Sequence, residues 1–149
     1  MYIVFDKIKN KPLKTKKMDT KTINSIIALI KGMELDNENL MILSRDYAEV
    51  VPIQEVIVEL GIKSKLPKED LFTICEGVKY QWSIVKNAVQ ALDDENDVIM
   101  LLGKASFHPQ LCAATIEMGK IKTPKELISI AKATGFHVAV VEAITKKQK

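Results

Sequence analysis

The segment Leu35-Asp36-Asn37-Glu38-Asn39 returns as Leu92-Asp93-Asp94-Glu95-Asn96, 57 positions further along the chain. Two more matches fall on the same line. Val58-Glu59-Leu60-Gly61 is answered by Ile116-Glu117-Met118-Gly119 at a shift of 58, and Pro67-Lys68-Glu69 by Pro124-Lys125-Glu126 at 57. Convergent helix-start and helix-stop chemistry gives single matches of this kind; three in collinear order predict a tandem duplication of about 57 residues. A unit this small cannot bury its apolar face alone, so the two copies are expected to pack on one another. The expected division is residues 1–19 as an N-terminal strand and lysine-rich loop, 20–77 as the first helical repeat and 78–149 as the second, together forming one compact domain.

Within each copy the residues read as helices. Asp93, Asp94 and Glu95 suit a helix N-terminus, where unpaired N–H groups and the macrodipole favour carboxylates. Val98, Leu101, Leu102 and Ala105 follow at helical spacing, as do Leu40, Leu43 and Tyr47 in the first copy. The next helix starts near Pro52 with Ile53, Val56, Ile57 and Leu60 on one face and is expected to stop at Gly61. Its counterpart runs from Pro109 to Gly119 around Leu111, Cys112, Thr115 and Met118. Thr123-Pro124-Lys125-Glu126 has the form of a capping box, followed by Leu127, Ile130, Ala131 and Thr134 before Gly135. Each copy should close with a further helix, over 78–92 with Ile84, Val85, Ala88, Val89 and Leu92 inward, and over 137–146 with Val138, Val141 and Ile144 inward. Upstream, Asp19 or Thr20 caps a helix carrying Ile23, Ile26, Ile27 and Ile30, ended by Gly32, and Tyr2-Ile3-Val4-Phe5 reads as a short β-strand. The fold class is therefore mainly α. Short apolar runs are ambiguous by period alone, so the alternative is an α/β protein with strands at 40–44 and 98–102.

Composition enters through charge. The net charge of +3 conceals a division: residues 1–32 carry 8 lysines and 2 aspartates, 33–100 carry 14 acids against 6 basic residues, and 101–149 carry 8 lysines against 3 glutamates. Such asymmetry points to partners or self-association rather than to fold. Arg45 is the single arginine among 22 basic residues. Lysine attracts phosphate but lacks the fork that reads guanine, although an AT-rich coding genome produces the same bias. No apolar run approaches the roughly 20 residues needed to span a bilayer, and the lysine-broken start is not that of a signal peptide. No membrane is expected. Two cysteines, Cys75 and Cys112, make no disulfide framework, which suits a cytoplasmic location.

The strongest surface feature is the run Lys7, Lys9, Lys11, Lys14, Lys16, Lys17 and Lys21, seven cations in 15 positions. It suits nucleic-acid contact through Lys9, Lys11, Lys14, Lys16, Lys17 and Lys21, an acidic protein face, or simple solvation. Arg45, Tyr80 and Lys86 are candidate protein-contact residues, with Arg45-Asp46 as a local or inter-repeat ion pair and Trp82 as core. His108 and Cys112 lie four apart, but a metal needs two further ligands, and a Cys/His nucleophile lacks an orienting group and oxyanion donors. Gly103-Lys104-Ala105-Ser106 lacks the earlier glycine of a phosphate loop. No metal, cofactor or catalytic residue is implied.

Residues 127–146 resemble a helix-turn-helix, with Ala131, Gly135 and Val141 at its fifth, ninth and fifteenth places and Ile130, Phe136 and Ile144 apolar as the motif requires. The second helix would then offer His137, Val138, Ala139, Glu142 and Ala143 to a groove. These are poor base readers, so packing is the expected use of the pair. Pro124, Glu126, Leu127, Ala131, Lys132, Gly135 and Phe136, preceded by His108-Pro109-Gln110-Leu111, also resemble the helical leader domain of some peptide natural-product precursors and nitrogen-fixation clusters. The cysteine- or serine-rich core peptide of that pattern is missing, and neither family is assigned. The expectation is a non-catalytic helical binding protein contacting nucleic acid through its lysine-rich N-terminal segment. The alternative is a protein–protein adaptor, homo-oligomer or assembly component.

Overall fold

The computed structural model describes residues 18–148. Among them the chain forms nine helices and no strand: α1 Thr20–Gly32, α2 Asn37–Asp46, α3 Val51–Lys63, α4 Lys68–Gly77, α5 Trp82–Ala91, α6 Glu95–Lys104, α7 Pro109–Glu117, α8 Pro124–Ala133 and α9 Val138–Gln148. Residues 40–44 and 98–102 lie inside α2 and α6, so the fold is mainly α and the extended alternative for those runs is excluded. The strand expected at residues 2–5 lies outside the described residues. The chain divides into two compact units, one ending at Ile84 and the other beginning at Val85.

The helix starts follow from side-chain capping. The Asp19 carboxylate accepts the Thr22 N–H at 2.8 Å, Asp36 that of Asn39 at 2.9 Å, and Asp94 that of Asn96 at 2.8 Å. Pro52, Pro109 and Pro124 occupy first-turn positions, where a missing N–H costs nothing. The capping box at Thr123 is not made. Thr123 is the N-cap residue, but its side chain accepts no cap bond. Its N–H, which Glu126 would have capped, instead donates to Glu95 Oε1 at 3.3 Å, beside the Lys122 N–H at 2.9 Å.

Four helix ends share one closure. The N–H groups of Leu66, Tyr80, Phe107 and Phe136 reach back five residues to the carbonyls of Gly61, Cys75, Leu102 and Ala131 at 2.7–2.8 Å. This is the Schellman arrangement, which needs a left-handed residue before the donor. Lys65, Lys79, Ser106 and Gly135 supply it, with φ between 55° and 67°. Only one of the four is glycine, so glycine is a poor marker of these ends. Gly61 illustrates the point: the helix expected to stop there continues to Lys63. Gly61 is needed for another reason, because Leu66 folds back across it. A Cβ at residue 61 would lie 2.7 Å from Leu66 Cγ.

In the first unit Ile30, Leu40, Ile53, Ile57, Val58, Leu71 and Ile74 form the core, with α1 packed on α3. In the second, Val98, Leu101, Leu102, Ile116, Leu127 and Ile130 are buried and α9 lies along α7. The face of α9 differs from expectation. Val140 and Ala143 are fully buried, whereas Val138 is 65% and Val141 38% exposed. Apolar residues nearly encircle α9, so their period does not select a face; contact with α7 does. On α5 all five expected inward residues, Ile84, Val85, Ala88, Val89 and Leu92 just beyond its end, are buried.

Two glycine substitutions test this packing. Gly61→Ala should lower unfolding stability by about 1–3 kcal/mol, the usual cost of overpacking a filled core. Gly32→Ala, whose Cβ meets nothing within 4 Å, should be neutral or stabilise by roughly 0.5 kcal/mol. Urea titrations of the two variants read the difference.

Candidate functional site

Each proposed contact residue has a distinct setting. Lys9, Lys11, Lys14, Lys16 and Lys17 lie outside the described residues. Lys21 is exposed in the first turn of α1. Arg45 is exposed in the last turn of α2, where a cation meets the negative end of the helix dipole. No ion pair joins it to Asp46 among the described residues. Tyr80 belongs to the first unit and Lys86, exposed on α5, to the second. Tyr80 is held by its turn: it has φ +58° and its N–H donates to the Cys75 carbonyl. Burial, and then the charges of Glu76 and Cys75, push its phenol above the ordinary value. Trp82 is half-buried at the start of α5.

The residues considered for chemistry are placed against it. His108 is the N-cap of α7 and exposed, its Nδ1 accepting the Gln110 N–H at 3.3 Å. Cys112 is wholly buried, and burial pushes its thiol up to about 11. Burial likewise takes Cys75 to about 12. A thiol so displaced is held in its neutral form at neutral pH, whereas nucleophilic attack needs the thiolate. Among the described residues no group of three or more His, Cys, Asp and Glu is placed to hold a metal ion. Gly103 lies within α6 and Ser106 in the turn after it, so that segment is a helix C-terminus, where the dipole repels phosphate. No helix among the described residues is long and apolar enough to cross a membrane.

The helix-turn-helix spacing is matched by α8, a turn with Gly135 at φ +67°, and α9. Ile130 and Ala131 are buried as that motif requires, but Phe136 is 61% exposed.

Three polar arrangements were not anticipated. Gln54, with no exposed surface, donates to the carbonyls of Tyr47 at 2.7 Å and Ser44 at 3.1 Å, and accepts the Ser44 hydroxyl at 2.6 Å. This bracket satisfies the carbonyls that end α2 and ties them to α3. The signal was present, since Gln54 interrupts an otherwise apolar stripe. In the second unit Lys120 Nζ caps the end of α5 through the carbonyls of Gln90 at 3.2 Å and Leu92 at 2.8 Å. Glu95 forms the clamp on Lys122 and Thr123 described above; the Lys122 N–H foremost, with Thr123, holds its carboxyl below the usual range.

No protein-family model, curated protein or solved structure matches this chain.

Ser44→Ala leaves Gln54 Oε1 buried without its donor and should cost about 1–3 kcal/mol of stability in denaturant. The thiols give a pH test. Their folded values lie above the 9.0 of a free thiol. The unfolded chain therefore loses these protons first, and stability that is full below pH 9 falls as pH rises toward the folded values. Cys75→Ala should flatten that alkaline loss in thermal unfolding, and a thiol reagent should label both cysteines only after denaturation.

Proposed function

We propose that this is a non-catalytic helical binding protein whose lysine-rich N-terminal segment contacts nucleic acid, with little sequence preference. The observation that carries the reading is the density of lysine from Lys7 to Lys21, set before a body whose residues 33–100 are acidic. Cations so spaced neutralise consecutive phosphates and release counterions, and the scarcity of arginine argues against base reading. The last lysine of the run, Lys21, lies in the first turn of α1, which Asp19 caps and which packs on α3.

The body, on this reading, is a duplication that is itself doubled. Four stretches of 22 residues, beginning at Leu40, Leu71, Val98 and Leu127, align without a gap. All four first residues are buried, as are Ser44, Cys75, Leu102 and Ala131 four places on and Ile53, Ile84, Leu111 and Val140 thirteen places on. The last three stretches turn through paired left-handed residues at one place: Lys79-Tyr80, Ser106-Phe107 and Gly135-Phe136. The first stretch lacks that turn and has the Gln54 bracket instead. A further support is tertiary: Asn37 bonds to Ser64 across α2 and α3, and Glu95 to Lys122 in the second unit, with both partners shifted by 58.

The second reading is a protein–protein adaptor, favoured by exposed apolar residues on α8, α9 and the turn between them, where Ile128, Phe136 and Val138 are each more than half exposed.

Replacing Lys14, Lys16 and Lys17 by Glu should abolish binding to a mixed-sequence duplex or single strand. Wild-type affinity should fall about 10³-fold or more between 50 and 200 mM salt if six or more phosphates are met. Affinity unchanged by the triple substitution rules the lysine segment out.

A further inference from the structure

Three of the four stretches turn on an aromatic residue held left-handed: Tyr80 at φ 58°, Phe107 at 49° and Phe136 at 56°. A bulky residue in that region is uncommon and carries a backbone cost. Each of the three makes the same closure, a bond from its N–H to the carbonyl five residues back. The residue four back differs. For Tyr80 it is Glu76, whose charge reaches the phenol. For Phe107 it is Gly103; the ring lies 3.4 Å from the place a Cβ would take there, and Phe107 is half-buried. For Phe136 it is Lys132, and Phe136 is 61% exposed. The fourth stretch thus sets a mostly exposed aromatic one helical turn from a cation. Its surroundings are basic as well. α8 exposes Lys125, Ser129 and Lys132 at helical spacing, and residues 101–149 carry 8 lysines against 3 glutamates. Lys132 lies in the last turn of α8, where it offsets the negative helix end that would repel a phosphate.

We propose that Phe136 is a stacking platform for an unpaired base of single-stranded nucleic acid, with Lys132 and Lys125 meeting the phosphates beside it. The proposal rests on the nucleic-acid reading and narrows its substrate class to single strands. Two complementary properties define the occupant. An unpaired base offers a flat face to the aromatic ring, and its backbone carries the negative charge that the lysines attract. In a duplex those faces are stacked on neighbouring pairs and closed to a side chain. Stacking also tolerates any base, which suits a chain whose only arginine is Arg45.

Fluorescence anisotropy on the full chain, with a labelled mixed-sequence single strand and its duplex, tests the platform. Wild type should bind the single strand more tightly. Phe136→Ala should weaken single-strand binding about 5- to 150-fold and leave duplex binding unchanged, whereas Phe136→Trp should keep both. Lys132→Gln should lower the slope of log affinity against log salt by about 0.7, the share of one phosphate. If Phe136→Ala loses its helical circular dichroism, Phe136→Gly, which suits a left-handed backbone, should show the same selective loss. Single-strand affinity unchanged in the folded variant overturns the platform, as does an equal loss for strand and duplex. A Phe136→Ala chain released from anionic phospholipid vesicles but not from the single strand overturns it in favour of a membrane surface. The two readings fail separately. Wild type that binds neither form of nucleic acid sinks both, while binding abolished by the Lys14, Lys16 and Lys17 replacements but indifferent to Phe136 sinks the platform alone.

Discussion

Helices of 9 to 13 residues, the full range among the described elements, are marginal on their own in water, because nucleation costs more than so few backbone hydrogen bonds return. Each helix among the described residues therefore depends on laying an apolar face against a neighbour. That requirement explains why Val98, Ile116, Val140 and Ala143 have no exposed surface at all in the second unit, and why Ile53, Ile57 and Val58 have none in the first. It also explains how much of the molecule is given to ending helices cleanly. A short helix that overran its packing partner would expose apolar surface and leave its last carbonyls unpaired.

Besides the Lys120 cap on α5, two solutions to that ending problem stand out. The commoner is the left-handed turn closed by a bond reaching back five residues, made at Lys65, Lys79, Ser106 and Gly135. For the three non-glycine residues it carries a backbone cost of roughly 1 kcal/mol each, offset by pairing an otherwise orphaned carbonyl. The other is the Gln54 bracket, in which a side chain from α3 reaches the carbonyls at the end of α2. A buried amide of this kind stabilises only while every partner is present, so it fixes one relation between the two helices and tolerates no other.

The same constraint shapes the functional reading. Cys75 and Cys112 are buried, and His108 and His137 accept backbone N–H groups through Nδ1 at the starts of helices. The proposed lysine contact and the proposed apolar contact would act through different forces, one screened by salt and the other not. They are separable by experiment for that reason.

The residues alone determined that the chain is helical, where most helices begin and which faces most of them bury. Asp19, Asp36 and Asp94 announce their helices because a carboxylate beside unpaired N–H groups is a local interaction, readable within four positions. The inward stripe of α5 was legible because its polar residues leave only one apolar face. Tertiary structure decided the rest. Gly61 failed as a stop signal because its role is to admit Leu66. Thr123 lost its capping box because Glu95, 28 residues away, took the donor. On α9, apolar nearly all round, α7 chose Val140 and Ala143 and left Val138 and Val141 outside. For Thr123 and α9 the deciding partner is distant in sequence, and for Gly61 it is a side chain five residues on that only the closed turn brings back; no local period or motif carries information about an atom that only folding brings near.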